Sequence, residues 1–194
     1  PLEDIQILSP TRIGAVGTKE LNKALQLAMN PPSRNKSEFK FYDVLFRTGD
    51  KIMQIKNDYD VEWIRGAEKG TGIFNGDMGV ILEVSRQTES IKIDFEGRIS
   101  IYTPEMLSKI EHAYAVTIHK SQGSEYDAVI IPLPNYIDKL MYRNLLYTAV
   151  TRAKKILILV GVKARVHEMV ANHRRNLRYS CLKSMLAEAY NEAE

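Results

Sequence analysis

The feature that most restricts what this chain can fold into is a change of texture near Thr48 that reverses after Lys109. Outside that stretch stand nearly continuous apolar runs, Ile5–Leu8 before it and Ala128–Ile131 and Ile156–Val160 after it. Such runs belong to strands of a parallel sheet covered on both faces. Inside it, Lys51–Ile55, Val80–Val84, Ile91–Phe95 and Arg98–Tyr102 are short, closely spaced β segments. Turn signals separate them, among them Asn75-Gly76-Asp77 and the two-residue Glu96-Gly97, a favourable hairpin connection. Strands of this length and spacing predict a small barrel of SH3 size over residues 48–109. The expected organisation is an α/β domain, residues 1–47 and 110–194, interrupted by that β insert.

The flanking parts carry helix signals. Ser9-Pro10 ends the first run, and Gly14 and Gly17 mark a loop. Thr18 then suits the N-cap of a helix with Leu21, Ala24, Leu25 and Ala28 on one face, stopped by Pro31 and Pro32. Residues 33–38 are polar. Tyr114, Val116 and Ile118 alternate with Ala115 and Thr117, which favours a strand. Leu145, Leu146, Ala149, Val150 and Ala153 form a helical stripe, and the tail from Lys163 reads as one or two amphipathic helices.

Composition narrows the class. No apolar stretch approaches the ~20 residues that cross a bilayer, so no membrane partner is expected. Cys181 is the single cysteine, which rules out an internal disulfide and suits a reducing, cytoplasmic setting. A chain that opens on Pro1 reads as a piece of a longer protein. The net charge of +3 and pI near 8.9 permit a nucleic-acid partner without demanding one. The basic run His173–Arg178 fits either such a partner or a solvated helix end.

Two segments carry chemistry. In Thr117-Ile118-His119-Lys120-Ser121-Gln122-Gly123-Ser124-Glu125, donors and a charge follow a strand, where ligands meet a parallel sheet. Gly123 lets backbone approach a ligand, and phosphate oxygens suit the loop. The bland alternative is a surface turn whose polar groups satisfy one another. The second segment, Leu146-Tyr147-Thr148-Ala149-Val150-Thr151-Arg152-Ala153, puts an arginine at the end of a helix. Its permanent charge and planar fork suit a phosphate across a cleft, and the alternative is a helix-surface arginine near Lys154 and Lys155. Tyr59, Trp63 and Phe74 fit the core of the barrel better than a stacking platform for bases. His112, His167, His173 and Cys181 show no metal-ligand spacing, so no metal site is expected. Asp94 and Glu96 alternate on one strand without a third acid, which argues against a nuclease centre.

In this order the two segments resemble motifs V and VI of RecD-type superfamily-one helicases. Leu8-Ser9-Pro10-Thr11-Arg12-Ile13-Gly14-Ala15-Val16-Gly17 with Leu21-Asn22 is similar to their motif IV region. Gly49-Asp50-Lys51-Ile52-Met53-Gln54, Asn57-Asp58-Tyr59 and Phe74-Asn75-Gly76-Asp77-Met78-Gly79 resemble the entry to their SH3-like 2B insert. The resemblance implies a second RecA-like domain carrying that insert, the C-terminal motor module of a 5′-to-3′ DNA helicase. Arg152 would be the catalytic arginine at the γ-phosphate, with Gly123 and Glu125 completing the ATP contacts, Glu125 at the ribose. Thr117, His119, Lys120 and Ser121 would line the single-strand track, with Pro10, Arg12 and Asn75 as further contacts, Asn75 fitting a turn-shaping role better.

No Gly-x-x-x-x-Gly-Lys-[Ser/Thr] occurs, and no Asp-Glu pair follows an apolar strand. ATP and Mg2+ would therefore be bound mainly by a preceding RecA-like domain of the same protein, and this piece alone should be inactive. Two alternatives stay open: a non-catalytic binding module, and the α subunit of a multisubunit exonuclease V with its other subunits as partners.

Overall fold

The apolar runs at the two ends of the chain meet in one parallel sheet. In the computed structural model, which describes residues 5–135, 140–173, 181, 185, 186 and 190, it holds β1 (Ile5–Ser9), β11 (Ala115–Thr117), β12 (Tyr126–Pro132) and β13 (Ala153–Val160). Their spatial order is β11-β1-β12-β13 and every pairing is parallel. Helix α1 (Thr18–Met29) follows β1, α2 (Arg143–Val150) lies between β12 and β13, and α3 (Lys163–Ala171) follows β13. Leu8, Val116, Ile118, Val129, Ile131, Leu145 and Ala149 make the shared core. Among the described residues no helix is long and apolar enough to cross a membrane. The basic residues Arg174, Arg175 and Arg178 lie outside the described residues.

Between α1 and β11 the chain is almost all β. A hairpin of β2 (Glu38–Phe41) and β3 (Val44–Arg47) precedes β4 (Lys51–Gln54), β5 (Asp58–Arg65), β6 (Glu68–Ile73), β7 (Met78–Ser85), β8 (Ser90–Phe95), β9 (Arg98–Tyr102) and β10 (Ile110–His112). The last seven form an antiparallel sheet in the order β10-β4-β7-β8-β9-β5-β6. Ile110 and Ile52 at one margin share a buried cluster with Val61 and Ile73 at the other, so the sheet curls round one core. The predicted Glu96-Gly97 turn joins β8 to β9, with both residues at positive φ (54° and 88°), as a type I′ turn requires.

Strand β4 joins the two cores through the two-residue period of a strand. Its Ile52 is buried in the barrel core and its Met53 in the α/β core. Lys51, on the Met53 side, donates to Gln6 Oε1 of β1 at 3.1 Å, and Gln54, on the Ile52 side, accepts from the Tyr102 hydroxyl at 3.0 Å.

Just before β4 sits the fully buried Asp50. Its Oδ1 accepts from Asn30 Nδ2 at 2.7 Å and the Tyr114 hydroxyl at 3.0 Å. Oδ2 accepts from Gln26 Nε2 at 2.6 Å and the Arg47 backbone N–H at 2.7 Å, and faces His112 Nε2 at 3.0 Å. Burial alone would raise the carboxyl pKa. Hydrogen bonds from His112 and Asn30, the His112 charge and the Arg47 N–H outweigh burial and hold it below the usual carboxylate range. Burial, with the Asp50 charge next, pushes the Tyr114 phenol well up.

Several expectations are corrected. Gly17, not Thr18, caps α1; Thr18 is its first helical residue and is buried. The buried face of α1 is Thr18, Asn22 and Gln26, whereas Ala24 and Ala28 are exposed. Asn22 earns its place with three bonds: Nδ2 donates to the His112 and Ala115 carbonyls, each at 2.9 Å, and Oδ1 accepts from Ala115 N–H at 2.7 Å. Tyr59 and Phe74 are 66% and 40% exposed and pack edge-on against each other, while Phe46, Phe95 and Tyr102 fill the barrel. The apolar run of β13 is not covered on both faces, since Ile156 and Val160 are 54% and 53% exposed on what is the sheet's edge strand.

Replacing Asp50 by Ala strips five neighbouring groups of their partner at once. The expected loss is about 3–5 kcal/mol, read by urea unfolding of the chain. Because the folded pKa is depressed, the Asp50 contribution is complete above the unfolded carboxylate pKa of about 3.9 and fades as pH falls through the folded value. Asp50→Asn should flatten that acid limb; an unaltered acid limb would show that other carboxylates set it.

Candidate nucleotide and nucleic-acid site

The sheet brings loop 10–17 and the loop after β11 side by side at the carboxyl ends of neighbouring strands. Ser9 of β1 is in register with Thr117 of β11, and the Ile118 N–H donates to the Ser9 carbonyl at 3.0 Å. Loop 10–17 folds back into α1. The Ser9 hydroxyl donates to the Val16 carbonyl at 2.6 Å, and a Cβ on Gly17 would lie 2.6 Å from the Arg12 carbonyl oxygen. Only glycine fits there. The fold leaves the Arg12 side chain 69% exposed, whereas Pro10 is buried.

The loop after β11 is wound by its own backbone. Lys120 and Ser121 N–H donate to the Thr117 carbonyl at 2.9 and 3.2 Å, and Ser124 N–H to the Ser121 carbonyl at 3.1 Å. Ser121 is 1% exposed and its hydroxyl donates to the Ile118 carbonyl at 2.8 Å, so it holds the loop's shape and does not face outward. His119 is exposed, and Thr117 and Lys120 are half-buried. Lys120 Nζ lies 2.6 Å from Glu111 Oε1. Gly123 has φ +90° and open space around its missing Cβ, which leaves its backbone accessible. Glu125 is exposed and loosely paired with Lys154 at 3.8 Å.

Arg152 does not stand on the helix. Helix α2 ends at Val150, and Arg152 sits in the turn before β13. It is fixed by carbonyls: Nε donates to Thr148 O at 3.2 Å and Nη1 to Ser124 O at 3.1 Å. Its own carbonyl accepts from the Tyr126 N–H at 2.8 Å. The guanidinium is thus tied to the loop that holds Gly123, and the two predicted motifs form one bonded unit. A permanent charge held beside an open glycine backbone can meet a nucleotide phosphate brought to this face.

Asn75 lies elsewhere, on an exposed turn of the barrel. Its N–H donates to Asn57 Oδ1 at 2.9 Å, Gly76 has φ +102°, and Asp77 is bound to Phe74 N–H and Arg98. A cleft of about 650 Å3 separates this turn from the loop, lined by Gly76, Asp77, Asp94, Glu96, Ser124, Glu125 and Tyr126 among others. Asp94 and Glu96 line that cleft together with Asp77, which is paired with Arg98, and Glu125. Among the described residues no group of three or more His, Cys, Asp and Glu is placed to hold a metal ion. Sequence reasoning also missed Glu111, which local pattern does not mark and which meets Lys120 only through the fold of the chain between β10 and the loop after β11.

Residues 21–95 match the model of the ATP-dependent RecD-like DNA helicase SH3 domain, and residues 112–160 that of the UvrD-like helicase C-terminal domain. The ATP-dependent RecD2 DNA helicase of Deinococcus radiodurans is 32% identical over 92% of this chain and 23% of its own length. The RecBCD enzyme subunit RecD of Mycobacterium tuberculosis is 31% identical over 95% of this chain and 29% of its own. The chain thus spans between a fifth and a third of these relatives. Among solved structures, the Pif1 helicases described as unwinding forked double-stranded DNA align over all of this chain and 45% of theirs, with TM-score 0.57 and 17% identity. Pif1 from Bacteroides in complex with ADP-AlF3 and single-stranded DNA aligns over 96% and 45%, with TM-score 0.53 and 17% identity. At that identity the likeness is one of fold: a RecA-like domain with an SH3-like insert.

Replacing Gly123 by Ala forces a Cβ onto a left-handed backbone without any clash to relieve. The expected cost is ~1–2 kcal/mol of stability. A change below a few tenths in urea unfolding would show the loop free to re-form.

Proposed function

Because the chain belongs to the RecD-type superfamily-one helicases, as part of their C-terminal motor region, we propose that it supplies motifs IV, V and VI to an ATP-dependent motor that moves 5′ to 3′ along single-stranded DNA. The observation that carries this reading is the Arg152–Ser124 contact, which binds a phosphate-seeking cation to the loop that also carries the exposed His119 and the half-buried Lys120. Residues 1–47 and 110–194 form the second RecA-like domain on this reading, and 48–109 its insert. Strand β10 pairs with β4 in the insert's sheet, which supports moving the return crossing to Ala113.

ATP would lie between this domain and a preceding RecA-like domain that brings the P-loop and the acids for Mg2+, since this sequence carries no Gly-x-x-x-x-Gly-Lys-[Ser/Thr]. From this side Arg152 stabilises charge on the γ-phosphate and the Gly123 backbone closes against the nucleotide, with Glu125 at the ribose. Arg12, Thr117, His119 and Lys120 contact the DNA backbone. Pro10 and Ser121, being buried, hold the two loops in place. Asn75 shapes its turn.

A passive binding module has no use for a carbonyl-anchored arginine beside an open glycine, so the motor reading is preferred. The relative named as a RecBCD subunit favours one further reading, in which the motor works inside a nuclease complex. Co-purification of other subunits with the full-length protein separates the two.

In the full-length protein, Arg152→Ala should lower single-strand-stimulated ATPase by roughly 10³–10⁵, the worth of an arginine finger elsewhere. Lys120→Ala should leave basal turnover and weaken the stimulation. Wild-type turnover in Arg152→Ala would remove that residue from the site, and absence of ATPase in the wild type would overturn the motor reading.

A further inference from the structure

Glu111 occupies a position that the proposed DNA contacts leave unexplained. It is the middle residue of β10, a strand of the barrel sheet in register with Met53 of β4. Its two carboxylate oxygens reach two cations on two different loops. Oε1 lies 2.6 Å from Lys120 Nζ, and Oε2 lies 3.7 Å from Arg12 Nη2. Those are the cations proposed to meet DNA phosphates, one from each of the adjacent loops at the carboxyl ends of β1 and β11. The carboxylate is only 26% exposed, and the same strand is anchored one residue on by His112 at Asp50. The Glu111 backbone is therefore held in place, so its side chain can leave the two cations and return to them. A cleft of about 720 Å3 opens beside it, lined by Arg12, Lys19, Lys23, Glu111 and Tyr42 among others, with room for a phosphate to come in.

A carboxylate held at hydrogen-bond distance by Lys120 and in looser charge contact with Arg12 is an internal competitor for a phosphate that would take both cations. We propose that Glu111 acts as a displaceable phosphate surrogate: it occupies Arg12 and Lys120 when DNA is absent and competes with the strand when DNA is bound. This rests on the reading that these two residues contact the DNA backbone. The consequence is a weakened grip. A motor that steps must release each phosphate it holds, and a charge that retakes the cations lowers the cost of release. Because the competitor sits on the barrel sheet and the cations on the α/β loops, the grip depends on how the insert is seated.

The test uses the nucleotide-free full-length protein and a fluorescein-labelled oligodeoxythymidylate, with anisotropy read across a salt series. Glu111→Gln keeps the side chain's shape and removes its charge. It should tighten binding roughly three- to tenfold at low salt, the effect of one unit charge a few ångströms away at a partly solvated site. The log–log salt dependence should steepen by about 0.7, one further single-strand phosphate neutralised. In an Arg12→Met/Lys120→Met background the same substitution should change neither quantity. Unchanged or weaker binding by Glu111→Gln, with a wild-type unfolding transition, overturns the proposal. Equal tightening in the background that lacks both cations also overturns it, since the effect would then be one of general charge. Failure of the wild type to bind the oligonucleotide would overturn the DNA-binding reading itself, a result distinct from either.

Discussion

Asp50 holds a full charge where almost no water reaches it, and the arrangement of the two parts of the molecule follows from satisfying that charge. Its five partners come from α1 and from Asn30 just after it, from β3, from β10 and from the turn into β11. An unpaired carboxylate at such a site would be untenable, so the helix, the barrel and the parallel sheet must meet there or not at all. Strand β4 continues the joint, with Ile52 in one core and Met53 in the other. The insert that interrupts the α/β domain is fastened at its root. This is why Glu111, a barrel residue, can hold a fixed position among residues of the sheet's loops.

The parts of the fold that could be read in advance are those whose signal is local. The strands near Val80, Ile91, Arg98 and Ala128 stand out through apolar content and flanking turns, and Glu96-Gly97 names its own geometry. Strands β5 and β6 were not legible because Asp60, Glu62, Arg65, Glu68 and Lys69 face solvent and leave too little apolar pattern to detect. The face of α1 was misread for a deeper reason. Leu21, Ala24, Leu25 and Ala28 make the apolar stripe, but Asn22 and Gln26 are buried because partners remote in sequence satisfy them, Ala115 for Asn22 and Leu45, Asp50 and His112 for Gln26. A period-based reading assumes that burial follows hydrophobicity, and here it follows hydrogen-bond supply. Strand β13 fails in the opposite sense, apolar yet at a margin, since strand order is a long-range property.

At the candidate site, motif order located Arg152 and the loop after β11, but not their bond. That the guanidinium rests on Ser124 and Thr148 carbonyls, and that Ser121 turns inward, depend on backbone turns which residue types only permit. On the proposed reading the bond matters because it would make one short loop answerable to two ligands. A nucleotide phosphate that draws Arg152 away from the Ser124 carbonyl must disturb the segment that carries His119 and Lys120, and DNA bound to that segment must in turn bias Arg152.

That reciprocity is the central claim, and it is tested most directly by DNA affinity in two nucleotide states. Full-length protein would be titrated onto labelled oligodeoxythymidylate without nucleotide and with ADP-aluminium fluoride, for wild type and Arg152→Lys. Lysine keeps the charge but loses the fork that grips two carbonyls. The affinity should shift between the two states by about fivefold or more in wild type and very little in Arg152→Lys. An equal shift in both proteins would contradict that reciprocity, placing the coupling outside this loop.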